Sequence, residues 1–254
     1  MDLNHMVDKA MLQFITQCWP LVLILIGVGL LKSLMPRKKS GRRVRRTAVQ
    51  TPAKPKTDEE KDYERRLAGV AGELKVRTFV ERRYASSLHD VYLPSKSGVT
   101  QIDHIVLAAG AIVVIETKNY NGLILGDAGT HKWMQMMGKG SAGSPFMNPI
   151  HQNAGHVSAV RMALGQDLDV PVINLVVFVG DAKFGRPLPE GVITLAGLGS
   201  HLDVIARAHP AVGSAKEVWP ILCGSCLAKP RSDFEAEHRE TLATKTKTKN
   251  QKAA

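Results

Sequence analysis

QIDHIVLAAGAIVVIETK, residues 101–118, decides the fold. Two runs rich in β-branched residues, 100–107 and 111–117, flank Ala109 and Gly110 and read as adjacent antiparallel strands. A two-residue loop at Ala109-Gly110 sets Asp103 opposite Glu116 and Gln101 opposite Lys118. Side chains alternate across a strand, so these four residues share one face, while His104 points the other way as a packed core histidine. The reading depends on the loop: one more residue would slip the register and part the carboxylates.

Two carboxylates facing each other in apolar strands repel, and burying them is costly. They need water or a positive charge between them. Lys118 supplies one charge and a divalent cation would supply two. An all-oxygen site suits Mg2+ or Mn2+, hard ions that also bind phosphate oxygens. A lysine beside such an ion orients or deprotonates a water, or stabilises charge on an attacked phosphate. The plainer reading is a pair of strand-end charges neutralised by Lys118 with no metal.

Working outward, Leu67, Val70, Leu74, Val76, Phe79 and Val80 recur at three- and four-residue spacings and predict an amphipathic helix over 58–84. Residues 91–93 form a short strand ended by Pro94, and 123–125 another. A Gly/Ser loop covers 138–144. A helix is expected over 149–164, capped by Asn148 with Pro149 in its first turn. Residues 172–179 are almost wholly aliphatic, a buried strand. A short strand at 191–195 and a helix at 198–208 follow. The fold class is α/β: a mixed β-sheet flanked by helices, with a domain spanning 61–210.

The net charge of +11 invites a nucleic-acid reading, but the charge is unevenly placed. Residues 32–56 hold ten Lys or Arg and no acid, and 241–254 hold four Lys and no acid. Residues 57–240 hold 19 basic and 21 acidic side chains, so the domain itself is near neutral. Aromatic residues are only 5%, which leaves little for a base-stacking platform. The run 241–254, alternating Lys and Thr, reads as a disordered basic tail.

Residues 10–31 carry no charge and would span roughly 33 Å as a helix, about the thickness of a bilayer core. The span expected over 11–35 is a retained anchor within residues 1–36, not a signal peptide, because no basic stretch precedes it and a basic cluster follows at 37–46. That cluster keeps the C-terminal domain in the cytoplasm at the cell membrane, single-pass, and 37–60 is a basic flexible linker. Cys18, Cys223 and Cys226 suggest no disulfide framework. Cys223-Gly-Ser-Cys226, in an extension over 211–240, supplies with His238 three ligands where structural zinc wants four.

Four segments in order carry a resemblance: Gly69-Val-Ala-Gly72-Glu73, Gln101-Ile-Asp103-His104, Ile115-Glu116-Thr-Lys118-Asn119 and Asn148-Pro149-Ile-His-Gln152-Asn153. Together, over roughly 65–200, they resemble the nuclease-related domain (NERD) family, an offshoot of the PD-(D/E)XK restriction-endonuclease-like superfamily. The resemblance implies a restriction-endonuclease-like core in which Asp103 and Glu116 hold Mg2+ or Mn2+ and Lys118 is the catalytic lysine. It implies further roles for Glu73 on the first helix and Gln152 on the second. Glu73 also suits the N-terminal part of a helix electrostatically, and Gln152 suits bonding to neighbouring loops.

Two functions compete. One is a membrane-anchored, Mg2+-dependent endo- or exonuclease hydrolysing nucleic-acid phosphodiesters, DNA favoured. The alternative is a catalytically inactive module of the same fold that tethers nucleic acid or a protein at the membrane. Oligomeric state and sequence preference are not legible.

Overall fold

A computed structural model describes residues 57–251 other than 139, 141, 166–169 and 212. The expected anchor and most of the basic linker lie outside the described residues. Among the described residues no helix is long and apolar enough to cross a membrane.

Helix α1 (Asp58–Glu81) opens with a capping box in which Thr57 and Glu60 satisfy each other's backbone N–H groups. Strands β1 (Ser87–Ser95), β2 (Gly98–Ala108) and β3 (Ala111–Lys118) form an antiparallel meander. Next come β4 (Gly122–Leu125), β5 (Lys132–Met136), β6 (Ser144–Met147) and helix α2 (Pro149–Leu164). Then β7 (Val172–Phe178) pairs parallel to β3, and β9 (Val192–Thr194) parallel to β7. The main sheet therefore runs β1-β2-β3-β7-β9. Helices α3 (Leu198–Ala208), α4 (Gly213–Cys226) and α5 (Arg231–Gln251) complete the chain.

The hairpin has the expected register, from Ala108 opposite Ala111 to His104 opposite Ile115. Ala109 takes the turn with φ 54°, and the Gly110 N–H is held by the His209 carbonyl at 2.8 Å. Both sheet faces are covered. Val76, Val80, Leu198 and Leu202 from α1 and α3 meet Val106, Val113 and Ile115 on one side. Val157 and Val160 of α2 and Val218 and Leu222 of α4 meet Ile105, Ile112 and Val114 on the other.

Four expectations need correction. The apolar stripe of α1 does not face the core: Leu67, Val70 and Leu74 are exposed, and the buried face is Gly72, Val76 and Val80. The end of β3 sets this rotation, because Asn119 Nδ2 donates to the Ala68 carbonyl at 2.6 Å and a Cβ on Gly72 would lie 2.7 Å from Asn119 Cβ. There are two sheets, not one. The segment after β3 builds a second, β6-β5-β4-β8, with β8 at Ala182–Phe184. Its anchor is Trp133, 1% exposed and stacked 6.1 Å from Phe178. The strand ended by Pro94 instead runs through it to Ser95. Finally, the Lys-Thr run is helical through Gln251 as the end of α5. That helix is held by Phe234 stacked on Tyr92 and by Val99 N–H donating to Thr241 Oγ1 at 3.1 Å.

Asn153, fully buried on α2, ties the helix to two strands. Its Nδ2 donates to the carbonyls of Val114 and Leu175 at 2.9 and 3.1 Å, and to Asn174 Oδ1 at 2.7 Å. Removing it leaves buried acceptors unpaired. Asn153→Ala is expected to destabilise the fold by about 2–4 kcal/mol in chemical denaturation.

Candidate active site

The site forms where β3 stops pairing with β2. The ladder ends at His104–Ile115, and beyond it the Asp103 side chain takes over: its Oδ2 accepts the Thr117 N–H at 2.8 Å. Asp103 and Glu116 are thus brought together by the register, without a backbone pair between them. Gln101 is not part of this group. Its amide donates to Asp90 Oδ1 at 2.6 Å, and Asp90, across the hairpin, has φ 52°. The ladder skips the Asp90–Asp103 position, and strict alternation does not carry past it. His104 points away as expected, 2% exposed, its Nδ1 2.9 Å from His89 Nδ1. Burial and the neighbouring His89 push its pKa down to about 3, so the ring is neutral.

Glu116 is 3% exposed and is compensated from two sides. Lys118 Nζ lies 2.7 Å from Oε1 and His156 Nε2 lies 3.2 Å from Oε2. The His156 approach does not meet hydrogen-bond geometry, which leaves Oε2 buried without a hydrogen-bond partner. Lys118 also donates to Gln152 Oε1 at 2.9 Å. Gln152 and His156 lie one turn apart on α2, so both face the same strand end. His156 Nδ1 is fixed by Thr100 Oγ1 at 2.9 Å. His156 had no role in the sequence reading; its only signal there was the four-residue spacing from Gln152.

Glu73 of α1 and Asp103 line both of two adjoining clefts, of about 660 and 630 Å3, that meet at these residues and Gln152. All five expected site residues therefore converge: Asp103, Glu116, Lys118, Glu73 and Gln152. Cys223 and Cys226 do not join them. They lie on α4, with burial pushing the Cys226 thiol up to about 12, while His238 Nδ1 sits 2.9 Å from the Val99 carbonyl.

Charge is divided unevenly. Burial and Glu116 hold Asp103 well above the usual carboxylate value. Burial would raise Glu116 too, but His156 and Lys118 outweigh it and hold Glu116 low. Burial opposes charge on Lys118, yet Glu116 raises it, so Lys118 is a cation. Burial, Asp90 and Glu116 together raise Glu73. The donor set thus presents a low-pKa carboxylate beside two carboxylates that resist ionisation, an all-oxygen arrangement with unmet need for positive charge. Among the described residues no three such side chains lie close enough to enclose a cation as they stand.

Residues 68–179 match the family model of NERD, described as the nuclease-related domain. This segment is a nuclease-related domain. All five converging side chains fall inside it, and the domain belongs to the restriction-endonuclease-like superfamily. The chain is also similar to an uncharacterised protein of Bacillus anthracis, 38% identical over 114 residues. That stretch is 43% of this chain and 52% of the relative, so the match spans about half of the relative's length. No solved structure matches.

The nuclease-related domain holds Asp103 at a cost. A carboxylate with a raised folded-state pKa favours folding at low pH, and that advantage is lost as pH rises through the raised value. Asp103→Asn keeps the acceptor for Thr117 and removes the charge. It is expected to raise Tm at pH 7–8, by about 2–4 °C per kcal/mol of repulsion relieved. The gain should vanish below pH 3.8, the ordinary carboxylate value, where Asp103 is protonated in both states.

Proposed function

We propose that the chain is a metal-dependent nuclease, hydrolysing nucleic-acid phosphodiesters with DNA favoured, on a protein anchored in the cell membrane by residues 11–35 with this domain in the cytoplasm. The observation carrying the catalytic reading is the convergence of Asp103, Glu116 and Lys118 where two clefts meet within a nuclease-related domain. The anchor rests on the uncharged stretch 10–31 and the basic cluster after it.

Asp103 and Glu116 would hold Mg2+ or Mn2+, with Glu73 beside them. The bound ion would supply a Lewis acid for the phosphate and a more acidic water. Asp103, the carboxyl held above its ordinary value, gives up its proton when positive charge arrives. Lys118, held as a cation, is unsuited to be the general base; it would stabilise the extra negative charge on the attacked phosphate. Gln152 Oε1 and Glu116 Oε1 fix its ammonium. His156 positions Glu116 from the other side. In the reaction, water oxygen bonds to phosphorus as the P–O ester bond breaks, giving a phosphomonoester and a hydroxyl.

One observation favours the alternative, an inactive binding module: Lys118 already neutralises Glu116 at 2.7 Å. The test uses the full chain in detergent with single- and double-stranded DNA and RNA, in Mg2+, Mn2+ or EDTA. Metal-dependent cutting is expected, reduced by about 10^2–10^3 in Asp103→Ala and in Lys118→Ala. A folded chain that binds neither ion and cuts nothing would leave the binding module.

A further inference from the structure

The larger cleft reaches beyond the nuclease-related domain. Its walls are the β1–β2 turn, the exposed face of α2, and α5, which begins fifty residues after the family segment ends. His238, Leu242 and Lys245 line it from α5 at spacings of four and three, so they form one helix face. Lys96 lines it from the turn opposite, flanked by the hydroxyls of Ser95 and Ser97. Apart from Glu73 and Asp103 at the catalytic end, no acidic side chain lines this cleft. That is notable in a region, 57–240, where acids outnumber bases. Neither Lys96 nor Lys245 has an ion-pair partner among the described residues, and both are exposed.

The α5 wall is well anchored. Arg231 reaches the Asp90 carboxylate, Phe234 stacks on Tyr92, His238 meets the Val99 carbonyl and Thr241 takes the Val99 N–H. These bonds set the cationic face of α5 against the cleft, and exposed Lys247 continues the basic run beyond it. Lysines pointing into a channel without anionic partners favour phosphates, and such contacts position a strand without reading its sequence.

We propose that this cleft is a track for the phosphodiester backbone. A nucleic-acid strand held at the carboxylates runs on between the β1–β2 turn and α5, with phosphates met by Lys96 and Lys245. The two clefts share Glu73, Asp103 and Gln152, so a strand crossing the carboxylates lies in both. Leu242, half exposed, offers apolar surface to a sugar or base in passing. The assignment rests on the nucleic-acid reading of the carboxylate site. It adds a substrate-binding wall from a helix that the family segment does not contain.

The test uses the full chain carrying Asp103→Asn, so that the strand is bound and not cut. A photo-crosslinking amino acid replaces Leu242 or, as the control, Lys183 on β8, which lines neither cleft. The probe is a single-stranded DNA oligonucleotide in EDTA. Crosslinking at 242 is expected to exceed that at 183 by about tenfold. Crosslinking reports position, so binding through the basic cluster at 37–46 does not imitate it. In the same background, Lys96→Glu with Lys245→Glu should lower the slope of log affinity against log salt by about two. Equal crosslinking at 242 and 183, or an unchanged slope, overturns the track. Cleavage by the unmutated chain is scored separately. Cutting without crosslinking at 242 removes the track and keeps the nuclease; crosslinking without cutting keeps the track and removes catalysis.

Discussion

Glu116 sits at the end of a strand whose five preceding residues, Ala111–Ile115, are all fully buried, and it is itself almost sealed from water. A carboxylate in that position must be neutralised or protonated, because an isolated buried charge costs far more than one strand can return. The surroundings are organised around this requirement. Lys118 folds back from two residues along the same strand, and α2 brings His156 and Gln152. Asp103 is left to absorb the remaining repulsion, which is why its carboxyl is held high while that of Glu116 is held low.

Placing α2 over the strand end depends on groups that take no part in the chemistry. Asn148 caps the helix, accepting the Ile150 N–H and donating to the loop carbonyls of Asp127, Ala128 and Thr130. Asn153 pins the next turn to β3 and β7. Between these two polar clamps lies Gln152, its direction set by both. On the other side, the close approach of Gly72 to Asn119 brings Glu73 to the clefts. Several residues that resemble family motif positions thus act as fasteners for helices that bear the charged groups.

The second sheet and α5 extend this core in opposite directions. Trp133, Phe178 and Ile124 make a small separate cluster beneath the smaller cleft, while α5 closes the larger one. The near-neutral total for residues 57–240 therefore conceals a polarised surface: acidic where the carboxylates meet, basic along the α5 wall.

The hairpin, its register, the helix at Pro149–Leu164 and the buried strand after it were legible from residues 101–118, 148–164 and 172–179 alone. These depend on local rules: strand alternation, a two-residue loop, an Asn-Pro cap and aliphatic runs. They were sufficient to pair Asp103 with Glu116 and to place Lys118 beside them. The outward-facing Leu67, Val70 and Leu74, the Trp133 sheet, the contact of His156 with Glu116 and the ordered Lys-Thr helix were not legible. Each depends on a partner distant in sequence: Asn119 against Gly72, Phe178 against Trp133, Glu116 forty residues before His156, Val99 against Thr241. Periodicity tells which residues of an element are apolar. Which face is buried, and which side chain meets a charge, was decided only by the packing of elements against one another, because burial and electrostatic compensation are properties of pairs brought together by the tertiary fold.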